Sequence, residues 1–407
     1  MKRLLDVALG ILTAIGGFVD VGAVATAGAA GAKFGLGLVW AFLLATVAIM
    51  LLVEMSGRLT AVSGKPYAAA IREHFGFKFY LLPLTSELVA NGLMFTAEIG
   101  GVAIALSLLT GISWHLLFPV AAIAVFLTVW FASFEVIENG PAILGLVTLS
   151  FVAAIVVLGG PPREVVVTLW KPDVKPDDLG EYMFLAAAIL GAIISPYLIF
   201  FYSSGAREEG WSRRSLGLNK MTAIIGMGFG SVTAIALVTL SAMVLGPMHI
   251  GGGTLGEVGL SMATAFGRTG TVLFALALLI TCFGACLEVS LSMSYNLAQG
   301  LGWRWGEHHK PVEAARFNLT IIVYVLVAVA IGLLGVDPLQ LALLGSAVTA
   351  LLLPVALSPF LVIMNDKHYL GDDTNGWISN VGTIGIIVMA FIVAAVSMPL
   401  LVLTGGA

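Results

Sequence analysis

The residue with the clearest chemistry is an acid in the middle of an apolar run. Asp20 lies in Gly16-Gly17-Phe18-Val19-Asp20-Val21-Gly22, within a stretch otherwise suited to hydrocarbon. Even on lenient insertion scales a mid-membrane aspartate costs about 2.5–3.5 kcal/mol, so a bound cation or a proton must offset it. A second stretch, Gly191-Ala192-Ile193-Ile194-Ser195-Pro196-Tyr197, also carries a helix breaker at mid-span. Pro196 has no N–H and frees a carbonyl one turn earlier, while Gly16, Gly17 and Gly22 let the chain unwind or approach a neighbour closely. Carbonyls of Gly17 and Ala192 would then join Asp20 as the oxygen ligands a hard cation prefers. The bland alternative is an Asp20 that is protonated or hydrogen-bonded within the protein.

Glu98, in Phe95-Thr96-Ala97-Glu98-Ile99-Gly100-Gly101, is another acid in an apolar segment, as are Glu87 and Glu288. Glu98 fits equally a place on a polar route and a hydrogen bond to a broken helix; for Glu87 and Glu288 the structural reading leads. Glu135 and Glu138 read as solvated residues at a span end. The six histidines sit at loops or span ends and argue against an imidazole metal cluster. Cys282 and Cys286, four apart on one helix face, read as core filling, because two thiols make a poor metal site and that spacing suits packing better than a disulfide. No His-Glu-x-x-His or serine–base pairing at helical spacing suggests an enzyme.

These residues need elements to hold them in a bilayer, and the composition supplies those. The 407 residues are 59% hydrophobic and 10% charged, with a mean hydropathy of +1.05, far from the balance of a soluble domain. Runs such as Val39–Val53, Trp114–Phe131, Leu144–Leu158 and Ile321–Leu334, with their flanks, approach the roughly twenty residues a helix needs to span. The runs are continuous, not alternating, which excludes barrel strands. The expectation is an all-α polytopic membrane protein with about eleven spans near 7–31, 36–57, 80–109, 114–133, 142–160, 181–203, 218–246, 269–298, 316–335, 338–363 and 378–403. Interrupted first and sixth spans point to two inverted repeats, about 7–160 and 181–363, with an extra helix at about 378–403, all in one transporter domain over 1–407. Tyr67–His74 reads as a short interfacial helix and Pro161–Gly180 as a solvated outer loop.

Orientation follows from the bases. With the amino terminus in the cytoplasm, fourteen of the nineteen Lys and Arg residues lie inside, leaving Lys33, Arg163, Lys171, Lys175 and Arg268 outside. The carboxyl end then faces outward, in a cell (inner or plasma) membrane. Met1-Lys2-Arg3 could begin a signal peptide ending at Ala27–Ala32, but Asp20 interrupts it and nothing soluble follows. A net charge of −4 gives no case for nucleic acid. The expected partners are the lipid bilayer and a metal ion, and a monomer suffices for this reading.

The order of these features resembles the natural resistance-associated macrophage protein (NRAMP) divalent-metal transporters, whose fold is of the LeuT type. Phe18 through Thr26 resembles the family's first-helix Asp-Pro-Gly-Asn segment, and Ala192 through Tyr197 its sixth-helix segment ending Met-Pro-His; Asp20 and Pro196 are retained. Ala97-Glu98 with Ile104-Ala105-Leu106, Arg72-Glu73-His74, Phe274 through Leu279, and Asn365-Asp366-Lys367 through Gly371-Asp372 add to the likeness, which runs nearly end to end.

The departures are informative. Where the family has an asparagine and a methionine beside the aspartate, this sequence has Ala23 and Ser195, and Ser346 stands for a tenth-helix glutamine. Exchanging a thioether for a hydroxyl removes a preference for soft transition ions, and a roomier site suits Mg²⁺, which keeps several waters. The pattern is most similar to the prokaryotic NRAMP-related magnesium transporters. The resemblance implies transport of Mg²⁺, with Mn²⁺ as a second substrate and no cofactor, through Asp20, Gly17, Ala23, Ala192, Ser195 and Ser346, with Glu98, Tyr197, Pro196 and Gly22 on the path or its gates. Tyr197 replaces the family's histidine and Phe95 an acid one turn before Glu98, so transport is expected to be uncoupled from protons. The alternatives are a proton-coupled Mn²⁺/Fe²⁺ importer of the same family and a sodium-coupled amino-acid carrier of the same fold.

Overall fold

The computed structural model describes residues 20–131, 144–172, 174–306 and 313–404. Gly16, Gly17, Phe18 and Val19, with the first half of the first expected span, lie outside them, as do Glu135 and Glu138.

The described chain starts with α1 (Val21–Phe34), α2 (Val39–Ser63), the short α3 (Tyr67–Phe75), α4 (Phe77–Thr110), α5 (Trp114–Phe131) and α6 (Leu149–Val157). After α7 (Arg163–Val167) come α8 (Leu179–Ile193), α9 (Pro196–Glu208), α10 (Leu216–Val244), α11 (Leu255–Phe266) and α12 (Arg268–Leu301). The chain ends with α13 (Ala315–Gly332), α14 (Pro338–Ile363), α15 (Lys367–Leu370) and α16 (Trp377–Thr404). Among the described residues there is no strand, and nine helical stretches are long and apolar enough to cross a membrane. α8 and α9 count together as one of these, Pro176–Glu208. The first and fifth expected spans are described only in part, as α1 and as Gly145–Val157. The protein is an all-α polytopic membrane protein, and the expected spans differ from the helices mainly at their ends: 338–363 is reproduced, whereas 36–57 runs on to Ser63.

Lipid offers no hydrophobic drive for one helix to bury against another, so association rests on close packing of small residues and on interhelical hydrogen bonds. The sequence of α1, VGAVATAGAAGAKF, is almost entirely small. It lies against α10 so closely that a Cβ on Gly31 would come 2.3 Å from the Val238 carbonyl oxygen. The broken sixth span sits at the centre, with its most apolar window wholly enclosed by protein. α5, α13 and α16 form part of the lipid-facing layer, where Leu116, Phe131, Leu333 and Leu334 are exposed.

The expected interfacial helix forms as α3, but its apolar side docks onto α14. The Tyr67 hydroxyl donates to the Ala356 carbonyl at 2.8 Å, and the Tyr67 and Phe360 rings stack with centroids 3.9 Å apart. The outer loop is more than a solvated cap: it carries α7, and Leu36 N–H donates to Thr168 Oγ1 at 2.8 Å, tying the loop to the turn between α1 and α2. Cys282 and Cys286 are buried free thiols in the core.

Candidate metal site at two broken helices

A helix begun inside a membrane leaves its first N–H groups without intrahelical partners, and these must be satisfied locally. At the start of α1 two acids do this. Asp20, in extended conformation, is the N-cap, and its Oδ1 accepts from Ala23 N–H at 2.7 Å. Glu98 reaches across from α4, and its Oε1 accepts from Val21 N–H at 2.9 Å. Aspartate is a favoured N-cap, and its charge complements the positive end of the helix dipole. Only 2% of Asp20 is exposed, so the site is shut from solvent in this conformation.

The second break is built around Pro196. α8 ends at Ile193, Ile194 and Ser195 leave the helical conformation, and Pro196 opens α9. Proline supplies no N–H for the Ala192 carbonyl. The Ser195 hydroxyl takes that role, donating to Ala192 O at 2.6 Å and lying 3.3 Å from Gly191 O. Ser195 thus turns its proton inward to its own helix. Either carbonyl keeps a second lone pair, and Ser195 Oγ keeps its own, for an ion or its water.

α8 is held against α14 backbone to backbone. A Cβ on Gly191 would come 1.9 Å from Ser346 O and 2.8 Å from Ala350 N, so only glycine permits the contact. This fixes Ala192 and Ser195 relative to Ser346. A Cβ on Gly22 would lie 2.7 Å from Ser346 Oγ, 3.0 Å from Met94 Cε and 3.2 Å from Asp20 Oδ1. A carboxylate, a hydroxyl and a thioether side chain therefore surround one point beside the start of α1.

Of the residues singled out in the sequence, the structure gathers Asp20, Gly22 and Ser346 around that point. Ala23 contributes its N–H to Asp20, and its carbonyl lies 3.2 Å from the Thr26 hydroxyl. Tyr197 is buried in the first turn of α9, with its carbonyl accepting from Ser292 Oγ at 3.0 Å. Gly17 lies outside the described residues. Glu98 has its hydrogen bond to the start of α1, and the Cys282 thiol lies beside its buried carboxylate. Glu87 accepts from Asn91 Nδ2 at 2.8 Å.

Met94 was missed. It lies four residues before Glu98 and so shares its helix face, which is the signal that could have found it. The Ser346 hydroxyl points at its sulfur at 3.9 Å. Among the described residues no group of three or more His, Cys, Asp or Glu side chains could hold a metal ion. One carboxylate, a hydroxyl and a thioether side chain gather at this point, a lining unlike the Cys and His sets that hold a resident zinc.

The model of the family described as natural resistance-associated macrophage protein-like matches residues 10–401 of the chain. The chain belongs to the Nramp family. A divalent metal cation transporter from Deinococcus radiodurans is 25% identical over 372 residues, covering 87% of this chain and 80% of that protein. The crystal structure of the Eremococcus coleocola manganese transporter, in complex with an aromatic bis-isothiourea substituted compound, superposes with a TM-score of 0.77 at 19% identity. It covers 96% of this chain and 85% of that one. The fold extends to Mhp1, a nucleobase-cation-symport-1 transporter, with a TM-score of 0.62 at 14% identity, covering 97% and 92%. This Nramp chain is therefore a transporter and not an enzyme, and a metal ion is its substrate class rather than its cofactor.

Proposed function

We propose that this chain moves divalent metal cations across a cell membrane, Mg²⁺ foremost and Mn²⁺ as a second substrate, with Asp20 as the charged ligand. The observation that carries the reading is the buried Asp20 carboxylate at the start of α1, 3.2 Å from the point where Ser346 and Met94 converge. Burying that charge is unfavourable unless a cation meets it. Gly22 leaves the room, and Ala192, Ser195 and Ser346 supply neutral oxygens, direct or through water. Ala23, small where the family has an amide, leaves space for the hydration that Mg²⁺ retains.

Uptake in this reading is uncoupled from protons. Phe95 and Tyr197 stand where the family has titrating groups, and Phe95 is packed against Tyr324, with ring centroids 6.1 Å apart. Two positive charges moving inward gain about 4.6 kcal/mol per 100 mV, enough to drive uptake without a proton. The basic residues favour an amino terminus in the cytoplasm and a carboxyl terminus outside.

One observation favours a second reading, a Mn²⁺ importer coupled to protons. Met94 places a thioether beside Asp20 from a different helix, and thioethers prefer softer ions. The D. radiodurans and E. coleocola relatives, named for divalent-metal and manganese transport, support it too.

The test is uptake of Mg²⁺, Mn²⁺ and Ca²⁺ into proteoliposomes with interior pH recorded, for the parent and Asp20→Ala. Saturable Mg²⁺ uptake with steady interior pH, lost in the variant, is the expected result. Unchanged uptake in Asp20→Ala removes the site, and interior acidification coupled to Mn²⁺ entry selects the second reading.

A further inference from the structure

We infer that one face of α12, through Glu288, Ser292, Asn296 and Gln299, is the wall along which the cation passes between the Asp20 site and the end of the protein that carries Arg72. The inference rests on the proposed cation site. The four residues are spaced by four, four and three and so form one stripe on a helix. That stripe faces the second half of the broken sixth span from end to end. Ser292 Oγ donates to the Tyr197 carbonyl at 3.0 Å, next to the break, and Gln299 Nε2 donates to Ser204 Oγ at 2.9 Å, near the far end of α9. α4 closes the third side, its Tyr80 hydroxyl donating to Asn296 O at 2.7 Å. Beyond Gln299 the stripe meets Arg72, whose Nη1 lies 3.3 Å from Gln299 O.

Several polar atoms on this face have no partner. Glu288 Oε2, both Asn296 Nδ2 and Asn296 Oδ1, and Gln299 Oε1 are buried without a hydrogen bond. Asn296 is 1% exposed, Gln299 4% and Glu288 8%. Each such group costs about 1–3 kcal/mol if nothing ever solvates it, and native proteins hold few of them. Here they lie in register along one helix face, beginning beside the break. No buried lysine, arginine or histidine occurs among the described residues, so the carboxylates of Glu288 and Glu87 lack a buried base to compensate them. A wall of free amide oxygens and acids, shut in this conformation, is suited to receive water and a hydrated cation when α9 moves away from α12. A structural core would have paired those amides or replaced them with leucine.

The decisive variant is Asn296→Leu in the full chain. It keeps the number and branching of side-chain heavy atoms and replaces two unpartnered polar atoms with methyl groups. The expected result has three parts: a melting temperature equal to or above the parent's, unchanged Mg²⁺ affinity by calorimetry, and Mg²⁺ uptake into proteoliposomes slowed about ten-fold or more, the effect of about 1.4 kcal/mol on a barrier. Unchanged uptake overturns the inference. So does a clear fall in melting temperature, which would mean that the amide has a structural partner, and so does lost affinity, which would place Asn296 in the binding site itself. A second variant, Asn296→Cys, should react with a charged thiol reagent during turnover, while buried Cys282 and Cys286 in the parent do not. No reaction overturns the path. Failure of the cation site is read separately, from uptake that persists in Asp20→Ala.

Discussion

Gly22→Ala adds one methyl group at the point where the site converges. The carbon would sit 3.2 Å from Asp20 Oδ1, 2.7 Å from Ser346 Oγ and 3.0 Å from Met94 Cε. Mg²⁺ bonds oxygen at about 2.0–2.1 Å, so an ion bound to Oδ1 on the line toward the new carbon would stand only about 1.2 Å from it. The ion, or one of its waters, must be displaced. Loss of a supporting interaction at a metal site weakens binding by about 10–100-fold, which is about 1.4–2.7 kcal/mol. Stability should change little. The two nearest neighbours are the ends of a rotatable serine and a flexible methionine, overpacking costs about 1–3 kcal/mol, and Gly to Ala in a helix returns up to about 1 kcal/mol. Calorimetric titration of Mg²⁺ and Mn²⁺, with a thermal melt in the same detergent, measures both quantities. Parental affinity for both ions in a well-folded Gly22→Ala protein would refute the placement of the ion beside Gly22.

Gly191→Ala should do the opposite and destabilise the fold, because its new Cβ would meet backbone atoms of α14 at 1.9 and 2.8 Å, which cannot rotate away; Gly92→Ala, with nothing within 4 Å, should melt at or above the parent. Glu98→Gln keeps an oxygen to accept from Val21 N–H, so melting and Mg²⁺ uptake should stay near parental, whereas Glu98→Leu strands that N–H and should cost about 1–3 kcal/mol. Loss of uptake in Glu98→Gln would mean that a proton on this residue is needed, against uncoupled transport. Met94→Leu conserves volume and removes the sulfur; Mg²⁺ affinity should hold while Mn²⁺ affinity weakens, and equal weakening of both would make Met94 a packing residue only.

The spans were legible because continuous apolar runs and helix ends are local properties of the chain. So was the break at Pro196, since a missing N–H is written in the residue type. Asp20 could be singled out from the cost of burying it. What the sequence did not carry was partnership across long separations. That Glu98 takes the N–H of Val21, 77 residues away, follows only from the packing of α4 beside α1. Met94 looked like one more apolar residue in a span, and only the approach of α4 to Gly22 and Ser346 brings its side chain to the site. The family resemblance alone places the Ser195 hydroxyl at the ion; its back-bond to Ala192 depends on the local geometry of the break.

The enclosure of the sixth span has a consequence for how this protein responds to its surroundings. Because the rest of the protein encloses the most apolar window of that span, its interrupted backbone is kept away from acyl chains in this conformation. A change in bilayer thickness will press first on the outer layer that includes α5, α13 and α16, and will reach the interrupted strand of carbonyls only as a shift relayed through packed side chains. Lipid composition can therefore alter how readily the helices slide past one another while leaving the local geometry of the break as it was.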